Sequence, residues 1–466
     1  MELCQRWEQI LCALRPAFRR EKTFEWFVVL IWGLLLSTAP PAVTSYVNAV
    51  GLSEQYYAQA LHWFHGTAFG VDELCVQWGR WLQGHPQCLR LRGQRVYIGD
   101  GIKVSKEGRR MPGVKQLHQE SSNAGKPEWI RGHYFSALGL LLGRGSALFA
   151  VPLMLKLHDG IVPDESAAAP TLVDQMATLC VTLMESGSTA ILDAYYASGK
   201  VLQVFRAEGL HLITRVRLST VARAPFCPLP GPARPGRPRQ WGSPVRLREL
   251  FAPLEDCPQA AVWLYGRYVT VAYQCFELYW DSPNEPVLFV LTQLPGGKPF
   301  MLLASDVTLS GPEVIEAYGW RFKIEVTFRT LVQLLGGFGY RFWLKAMTPT
   351  PTWPDNLTLA SLDAALQHQV KRKVEAFERF LNLNAIALGI LQVLALEMPH
   401  HVWTRSPRWF RTRPKHGYPT EQWVQLAIQH QWQSHLGESR RALLLHQLLA
   451  AKGPPPQTPT SATLPP

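Results

Sequence analysis

The order of apolar patterns between residues 92 and 337 constrains the fold more than any other feature of this chain. Short apolar or alternating runs predict strands, and apolar residues three or four positions apart predict helices. The predicted order is strand, strand, strand, helix, strand, helix, strand, β-rich segment and long helix, with these bounds: Gln94–Val104, His133–Gly143, Ser146–His158, Pro170–Met184, Ser188–Ala194, Lys200–Glu208, His211–Leu218, about 215–308 and Ser310–Gly337. Such a succession is typical of a mixed α/β sheet that a β-rich insertion interrupts.

Two apolar segments raise the question of a membrane span. Trp26–Leu36 has 11 residues, whereas a helix needs roughly 20 to cross a bilayer. Tyr134–Leu157 is long enough, but Gly143, Arg144 and Gly145 interrupt it at its centre. A glycine-flanked arginine predicts a turn between two strands better than the middle of a membrane helix. We therefore predict that the protein has no membrane partner, and a membrane-associated basic protein is the alternative.

Helical patterns flank this α/β region on both sides. Residues 1–90 are predicted to be a helical N-terminal region and a candidate DNA-binding region, because Leu52–Gly66 follows a glycine turn as in a helix-turn-helix. An ordinary helical hairpin is the alternative. Residues 91–345 form the predicted core, 346–452 a helical C-terminal region, and 453–466 a Pro-rich tail that we expect to be disordered.

Net charge narrows the class of partner. The chain has 47 Lys and Arg against 35 Asp and Glu, which leaves a formal charge of +12 and a pI near 9.4. Such an excess favours nucleic acid or an anionic membrane as a partner. The eight cysteines include no C-x-x-C pair, so we expect reduced thiols and a cytoplasmic location.

Three carboxylates stand at positions that suit metal binding. Asp100 lies between Gly99 and Gly101 inside a strand pattern, and Asp193 ends a later buried strand pattern. Each alone fits an ordinary turn or helix cap. Together, at the ends of neighbouring strands, they would face the crevice where α/β sheets bind ligands. The flanking glycines would let a DNA backbone or a metal-bound phosphate come close.

The third carboxylate lies inside the last predicted helix of the core. Tyr318, Arg321 and Glu325 are spaced i, i+3 and i+7, and Arg329 continues the same stripe. A surface ion pair of Glu325 with Arg321 or Arg329 is the plainer interpretation. With Asp100 and Asp193, however, Glu325 would complete a set of oxygen ligands for Mg²⁺. Two such ions about 4 Å apart can support phosphodiester cleavage.

These residues resemble the DDE transposases of bacterial insertion sequences, which have an RNase H-like core. Tyr318, Arg321 and Glu325 match the signature Y-x-x-R-x-x-x-E-x-x-x-x-x-x-K of one group, and "YIGDGIKV" and "AILDAYYASGKVL" are similar to its two aspartate strands. The resemblance covers roughly residues 92–343. The final Lys of the signature is missing, because position 332 is Val332.

The resemblance implies an enzyme that cleaves the ends of a mobile element and transfers its 3′ ends into target DNA. Asp100, Asp193 and Glu325 would be the catalytic residues and would hold two Mg²⁺ ions, for which Mn²⁺ can substitute. Tyr318 and Arg321 would contact DNA, and we predict that Arg329 replaces the missing Lys. A transposase-derived DNA-binding protein without cleavage activity is the alternative, and Val332 favours it.

Further DNA contacts are predicted in the insertion. Arg215 to Arg248 contains eight Arg and no acid, so Arg234, Arg237 and Arg239 are predicted to follow phosphates; a solvated basic loop is the alternative. The expected partners are the element ends and the target, both double-stranded DNA. We also expect a homodimer on DNA, in a bacterial cytoplasm and nucleoid-associated when bound.

Overall fold

The computed structural model describes most of the chain. The described residues are 2–119, 125, 127–164, 170–226, 241–250, 257–282, 284–405, 417–434 and 443–452. The predicted DNA contacts Arg234, Arg237 and Arg239 lie outside the described residues, and so does the Pro-rich tail for which disorder is predicted.

Helices make up both ends of the chain and the strands cluster between them, as the patterns predict. The helices are α1 Glu2–Ala13, α2 Glu21–Leu36, α3 Val43–Ala49, α4 Tyr57–His65, α5 Val71–Gln83, α6 Leu172–Leu183, α7 Gly199–Ala207, α8 Gly311–Gly319, α9 Phe322–Leu335, α10 Ala364–Glu397, α11 Pro399–Arg405, α12 Glu421–Ser434 and α13 Leu444–Ala451. The strands are β1 Arg90–Leu91, β2 Gln94–Ser105, β3 Lys115–His118, β4 Trp129–Leu142, β5 Phe149–Leu157, β6 Ile161–Val162, β7 Thr189–Leu192, β8 His211–Val216, β9 Val221–Arg223, β10 Pro244–Arg246, β11 Gln259–Leu264, β12 Arg267–Tyr279, β13 Pro286–Gln293, β14 Phe300–Ala304 and β15 Leu357–Thr358.

Five strands define the core of the sheet, in the order β5, β4, β2, β7, β8. The first three are antiparallel to one another, and β7 and β8 run parallel to β2. The parallel strands are joined by helical crossovers, as parallel pairs require. Three antiparallel strands followed by two parallel ones, with helices between them, are the RNase H-like arrangement. The predicted fold class is confirmed.

The β-rich insertion does not form a separate layer, because it extends the same sheet. Strand β14 pairs antiparallel with the outer parallel strand β8, and β13 and β12 follow in turn. Among the described residues, 13 strands thus form one sheet. At the far end, β11 and β12 form a hairpin whose turn residues Tyr265 and Gly266 have φ of 51° and 86°. These positive values are those of a tight two-residue turn.

The apolar stretch that could have been a membrane helix is a pair of strands. Strands β4 and β5 pair antiparallel, and the turn between them contains Gly143, Arg144 and Gly145. Gly143 and Gly145 have φ of 91° and 57°, which glycine adopts without steric cost. The prediction of two strands is therefore confirmed.

One helix prediction needs correction. The sequence pattern predicts a single helix over Ser310–Gly337, but the structure has two, α8 and α9. Between them, Trp320 donates its N–H to the Ala317 carbonyl and Arg321 donates to Tyr318, at 3.0 and 3.1 Å. These bonds span three residues rather than four, which tightens the turn. The apolar period continues through this turn, so the sequence pattern does not reveal it.

Helix α10 is the central helix of the molecule. Among the described residues it alone is long and apolar enough to cross a membrane, and 94% of its most apolar stretch is buried inside the protein. A buried core helix meets the same criteria of length and composition.

Two polar side chains of α10 bind the outer strand β5. Asn382 accepts from the Leu155 N–H and donates to the Leu155 carbonyl, both at 2.8 Å, and Glu378 accepts from Leu157 N–H at 3.0 Å. These bonds satisfy backbone groups that an edge strand would otherwise leave unpaired.

The N-terminal helices share one hydrophobic core with the sheet and α10. The segment compared above with a helix-turn-helix, α3 and α4, packs through Tyr46 and Phe64 against Phe380 of α10. Its role in DNA binding and the domain limits at residues 90 and 345 stay predictions.

A half-buried carboxylate, Glu397, links α1 and the end of α5 to α10. Glu397 accepts two hydrogen bonds from Arg6, both at 2.8 Å, and contacts His85 at 3.1 Å. Burial would raise the pKa of Glu397, but the hydrogen bonds from Arg6 and His85 outweigh it and lower the pKa to about 2. The contact therefore stabilises the fold while Glu397 is ionised.

We predict that Glu397→Gln lowers the free energy of unfolding at pH 7 by about 1–2 kcal/mol, allowing for solvent screening at the partly exposed Arg6. Because the pKa of the native state is lowered, the difference from the parent should narrow as pH falls from about 4.5 towards 2. Urea unfolding at several pH values measures this. The control is Glu21→Gln, since Glu21 pairs with Arg15 while 62% of its side chain is exposed. An equal loss in both variants, or a loss independent of pH, would contradict the assignment.

Candidate active site

The register of three parallel strands brings the two predicted aspartates together. Gly99 of β2 pairs with Leu192 of β7, and Leu192 pairs with Thr214 of β8. The residues that follow Gly99, Leu192 and Thr214 are Asp100, Asp193 and Arg215. Three adjacent residues at one edge of the sheet are therefore two carboxylates and a guanidinium. Thr214 Oγ1 also donates to the Asp193 carbonyl oxygen at 3.1 Å, which holds the end of β7 in place.

The glycines beside Asp100 have a packing role, and the expectation that they admit DNA stays a prediction. A Cβ atom on Gly99 would lie 2.6 Å from Leu192 Cδ2. One on Gly101 would overlap the hydroxyl oxygen of Tyr134 and lie 2.5 Å from its Cζ. That hydroxyl also bonds to the Tyr196 hydroxyl at 3.0 Å, so its position is defined. The glycines are required because neighbouring side chains occupy the space over the strand.

Helix α9 carries Glu325 to the same edge of the sheet. Two residues further on, Thr327 is buried and donates its hydroxyl to the Ala150 carbonyl of β5 at 2.7 Å. Ile324, Phe328 and Leu331 of this helix are buried in the core. The apolar face of α9 thus lies on the sheet, and Glu325 stays on the exposed side of the helix next to the aspartates.

One guanidinium binds all three carboxylates. Arg321 Nη1 lies 2.9 Å from Asp100 Oδ2 and 3.6 Å from Asp193 Oδ1, and Arg321 Nη2 lies 2.7 Å from Glu325 Oε1. The Gly101 N–H donates a further hydrogen bond to Asp100 Oδ1 at 2.7 Å. The plainer interpretation of the sequence was an ion pair of Glu325 with Arg321 or Arg329, and in the structure Glu325 pairs with Arg321. It also places both aspartates on the same guanidinium.

Three carboxylates share the Arg321 guanidinium at this site, and Arg215 and Arg217 lie nearby. Burial raises the pKa of Asp100 to about 6; Arg321 and the Gly101 N–H oppose this shift, and the neighbouring Asp193 and Glu325 add to it. Burial alone would lower the pKa of Arg321, but the carboxylates around it raise it. Clustered carboxylate oxygens are the donors that hard divalent cations prefer.

The predicted DNA contacts on the two helices differ in their surroundings. Tyr318 is half-buried at the cleft, and burial raises its pKa to about 12, so it keeps its proton at neutral pH. Arg329 is exposed, and among the described residues no ion pair involves it. Val332 is 49% exposed.

A cavity of about 650 Å³ opens over this site. It contains Asp193, Tyr318, Arg321 and Glu325, and it adds three residues that the sequence analysis did not assign to the site: Arg215, Arg217 and Tyr265. The strand pairing signals Arg215, since a parallel partner of the Asp193 strand must place its next residue beside Asp193. Tyr265 reaches the cavity only through the turn between β11 and β12, which no local pattern indicates.

Among the described residues, no three His, Cys, Asp or Glu side chains are arranged so that they could hold a metal ion. At this site the Arg321 guanidinium lies within ion-pair distance of all three carboxylates. The donor set itself fits magnesium, since all three ligands are carboxylate oxygens. Arg321 would have to leave its central place for ions to enter.

An RNase H-like sheet with two aspartates on adjacent parallel strands and a glutamate on a crossing helix defines a nuclease-like class of protein. The family model described as "DDE superfamily endonuclease" matches residues 13–271, and the chain belongs to this family. The match includes Asp100 and Asp193 and ends before Glu325. The predicted membership of the DDE enzymes is confirmed, and the insertion-sequence group stays a prediction.

Two further comparisons add little. The chain is similar to a piggyBac transposase, solved by cryo-EM as a synaptic complex with hairpin DNA, with 11% identity, a TM-score of 0.39, and coverage of 97% of this chain and 87% of that one. The comparison with curated proteins gives no match.

We predict that Gly101→Ala lowers the free energy of unfolding by about 1–3 kcal/mol without DNA, because the new methyl group would overlap Tyr134. Thermal or urea unfolding measures this. The matched control is Gly79→Ala in α5, where an added Cβ meets nothing within 4 Å; it should be neutral or stabilising. If Gly101→Ala left stability unchanged and weakened only DNA binding, the packing explanation would be wrong.

Proposed function

We propose that this protein is a transposase that cleaves DNA at the ends of a mobile element and joins the 3′ ends to target DNA. The observation that carries the proposal is the convergence of Asp100, Asp193 and Glu325 on one guanidinium at the edge of an RNase H-like sheet. Membership of the DDE endonucleases supports the cleavage step. The excess of positive charge on the chain supports DNA as the substrate.

In this proposal Asp100, Asp193 and Glu325 hold two divalent cations, Mg²⁺ or in its place Mn²⁺. Bound there, such ions activate water and stabilise a leaving 3′ oxygen. The protein positions its carboxylates for this through the strand register and through the Thr327 bond to β5. Ionised Asp100 is costly mainly because it is buried and to a smaller extent because Asp193 and Glu325 are near, and its raised pKa reflects this cost. Cations at the site would remove that cost.

Arg321 has two roles in the proposal. In the free protein it neutralises part of the carboxylate charge. When cations take that place, the freed guanidinium can turn into the cavity and bind a DNA phosphate with its two parallel N–H groups. Arg215 and Tyr318 line the same cavity. Tyr318, which stays protonated, can donate its hydroxyl hydrogen to a phosphate oxygen.

The partners in the proposal are the element ends and a target, both double-stranded DNA, and a second copy of the protein on that DNA. A bacterial insertion sequence as the source and a cytoplasmic, nucleoid-associated location belong to the same proposal. Arg234, Arg237 and Arg239 remain candidate phosphate contacts of the insertion.

A transposase-derived DNA-binding protein without cleavage activity is the second candidate. The exposed Val332, where the family signature has Lys, favours it. Cleavage of a DNA fragment that carries the element ends, with and without Mg²⁺, separates the two candidates. A protein that binds these ends and never cuts them would be the second.

We predict that Asp100→Asn, Asp193→Asn and Glu325→Gln each reduce metal-dependent cleavage by at least about 1,000-fold while DNA binding stays within a few-fold. The triple variant should be no worse than the worst single one, because the three carboxylates act as a unit. Gel assays of cleavage and binding on one substrate measure both quantities.

The control for these variants is Glu249→Gln, which removes a carboxylate that is 60% exposed and belongs to a surface pair. The melting temperature gives a measure of metal binding that does not depend on catalysis. Mg²⁺ should raise it in the parent and not in the triple variant. A single variant with near-parental cleavage would refute the assignment.

We predict that Arg329→Ala reduces cleavage by about 10- to 100-fold, which is the loss expected for one charge-assisted bond to phosphate. The melting temperature should not change, because Arg329 is exposed and has no ion pair among the described residues. Adding Val332→Lys should restore part of the activity, because position 332 lies two turns after Glu325. Cleavage rates of the parent, both single variants and the double variant test this. If Arg329→Ala had parental activity, Arg329 would not replace the missing Lys.

A further inference from the structure

Six basic side chains lie together at the end of β2, away from the cavity described above. We call them the basic surface cluster: Lys106, Arg109, Arg110, Arg131, Arg341 and Lys345. They belong to three segments that backbone hydrogen bonds join. Lys106 N–H donates to the Arg131 carbonyl at 2.9 Å, Leu344 N–H to Arg110 at 2.9 Å, and Thr350 N–H to Arg109 at 2.7 Å.

In the part of the chain that the structure describes, the basic surface cluster has no carboxylate partner. Residues 105–114 and 338–354 contain a single acid, Glu107, and among the described residues no ion pair involves any member of the cluster. Backbone carbonyls accept hydrogen bonds from four of the side chains, those of Lys106, Arg109, Arg110 and Arg131. Arg109 donates to Thr350 and Arg110 to Lys345, both at 2.8 Å.

Two members of the cluster lie close to other cations. Burial, and to a smaller extent the charge of Arg341, lowers the pKa of Lys106 to about 8. Burial and the charge of Arg109 lower the pKa of Arg131. The buried Lys106 ammonium donates to the Phe338 and Tyr340 carbonyls and joins the segments. A polyanion would meet the exposed members of the cluster.

The exposed members of the cluster suit a nucleic acid backbone. Arg110, Arg341 and Lys345 are exposed. Guanidinium groups bind phosphate through two parallel N–H groups, and side chains already held by carbonyls lose little entropy on binding. Trp343, between Arg341 and Lys345 in the chain, is 57% exposed. An exposed Trp among cations can pack against a sugar of the DNA backbone.

The position of the cluster sets its distance from the carboxylates. Lys106 follows Asp100 by six residues, nearly all of them within β2. At about 3.3 Å per residue, six extended residues span about 20 Å.

We propose that the basic surface cluster is a second DNA-binding surface, which holds the backbone of duplex DNA away from the bond that is cut. It rests on the proposed function for the identity of the ligand. The surface follows phosphates and does not read base sequence, because its contacts are cationic groups with one exposed Trp.

The test variant is Arg110→Gln, Arg341→Gln and Lys345→Gln in the full-length protein. It leaves Lys106, Arg109 and Arg131 to hold the segments together, and the amide introduced by Arg110→Gln would keep a donor for the Lys345 carbonyl. The charge-matched control is Arg144→Gln, Lys200→Gln and Lys371→Gln, three exposed cations on other surfaces. Melting temperatures establish that both variants are folded.

The measurement is the affinity for a duplex of about 30 base pairs of arbitrary sequence, without divalent metal, from about 50 to 200 mM salt. Each phosphate that the protein no longer neutralises should flatten the slope of log K against log salt by about 0.9, so the slope of the cluster variant should be shallower by about 2–3. The slope of the control variant should change by less than about 1. Equal changes in the two variants, or an unchanged slope, would overturn the proposal.

Two further measurements separate this proposal from its alternatives. If vesicles containing phosphatidylserine bound in a cluster-dependent way and duplex DNA did not, the ligand would be a membrane and the proposal would be wrong. The binding assay contains no metal and no cleavage step, so it does not depend on the carboxylates. Failure of the transposase proposal would appear instead as parental cleavage in the Asp100→Asn variant.

Discussion

The site depends on one backbone constraint, the register in which β2, β7 and β8 pair. Parallel strands exchange evenly spaced hydrogen bonds, so a residue on one strand has a defined neighbour on the next. Because Gly99 pairs with Leu192 and Leu192 with Thr214, the following residues form a row at the edge of the sheet. A shift by one residue in either pair would turn Asp100 or Asp193 to the opposite face. Backbone hydrogen bonds between the strands therefore determine that Asp100 and Asp193 lie side by side.

The packing behind the sheet then determines where the third carboxylate lies. Helix α10 covers the outer strand through Asn382 and Glu378, and α9 attaches to the same strand through Thr327. These polar contacts are buried, so leaving any of them unpaired would be costly. The place of Glu325 follows from them, because it lies two residues before Thr327 on a helix whose opposite face is in the core.

Arg321 links the stability of the free protein to its proposed chemistry. It contacts all three carboxylates in the free protein, and in the proposed function cations would take its place. At the basic surface cluster, burial and neighbouring positive charges lower the pKa of Lys106 and Arg131. Each site stores unfavourable charge that a ligand of opposite charge would relieve, and the two ligands would be the metal ions and the DNA of one reaction.

The sequence by itself determined the order of strands and helices, the turn at Gly143, and the three carboxylates as candidates, since apolar period, turn residues and local spacing are properties of short segments. It did not reveal the break between α8 and α9, because the apolar period runs through Trp320 and Arg321. Nor did it explain Gly99 and Gly101, whose neighbours Leu192 and Tyr134 are distant in the chain. Arg321 as the common partner of Asp100, Asp193 and Glu325, the place of Arg215 in the cavity and the union of Lys106 with Arg341 were decided by tertiary structure alone. Each of these depends on the distance between segments far apart in sequence, and only packing and strand register set such distances.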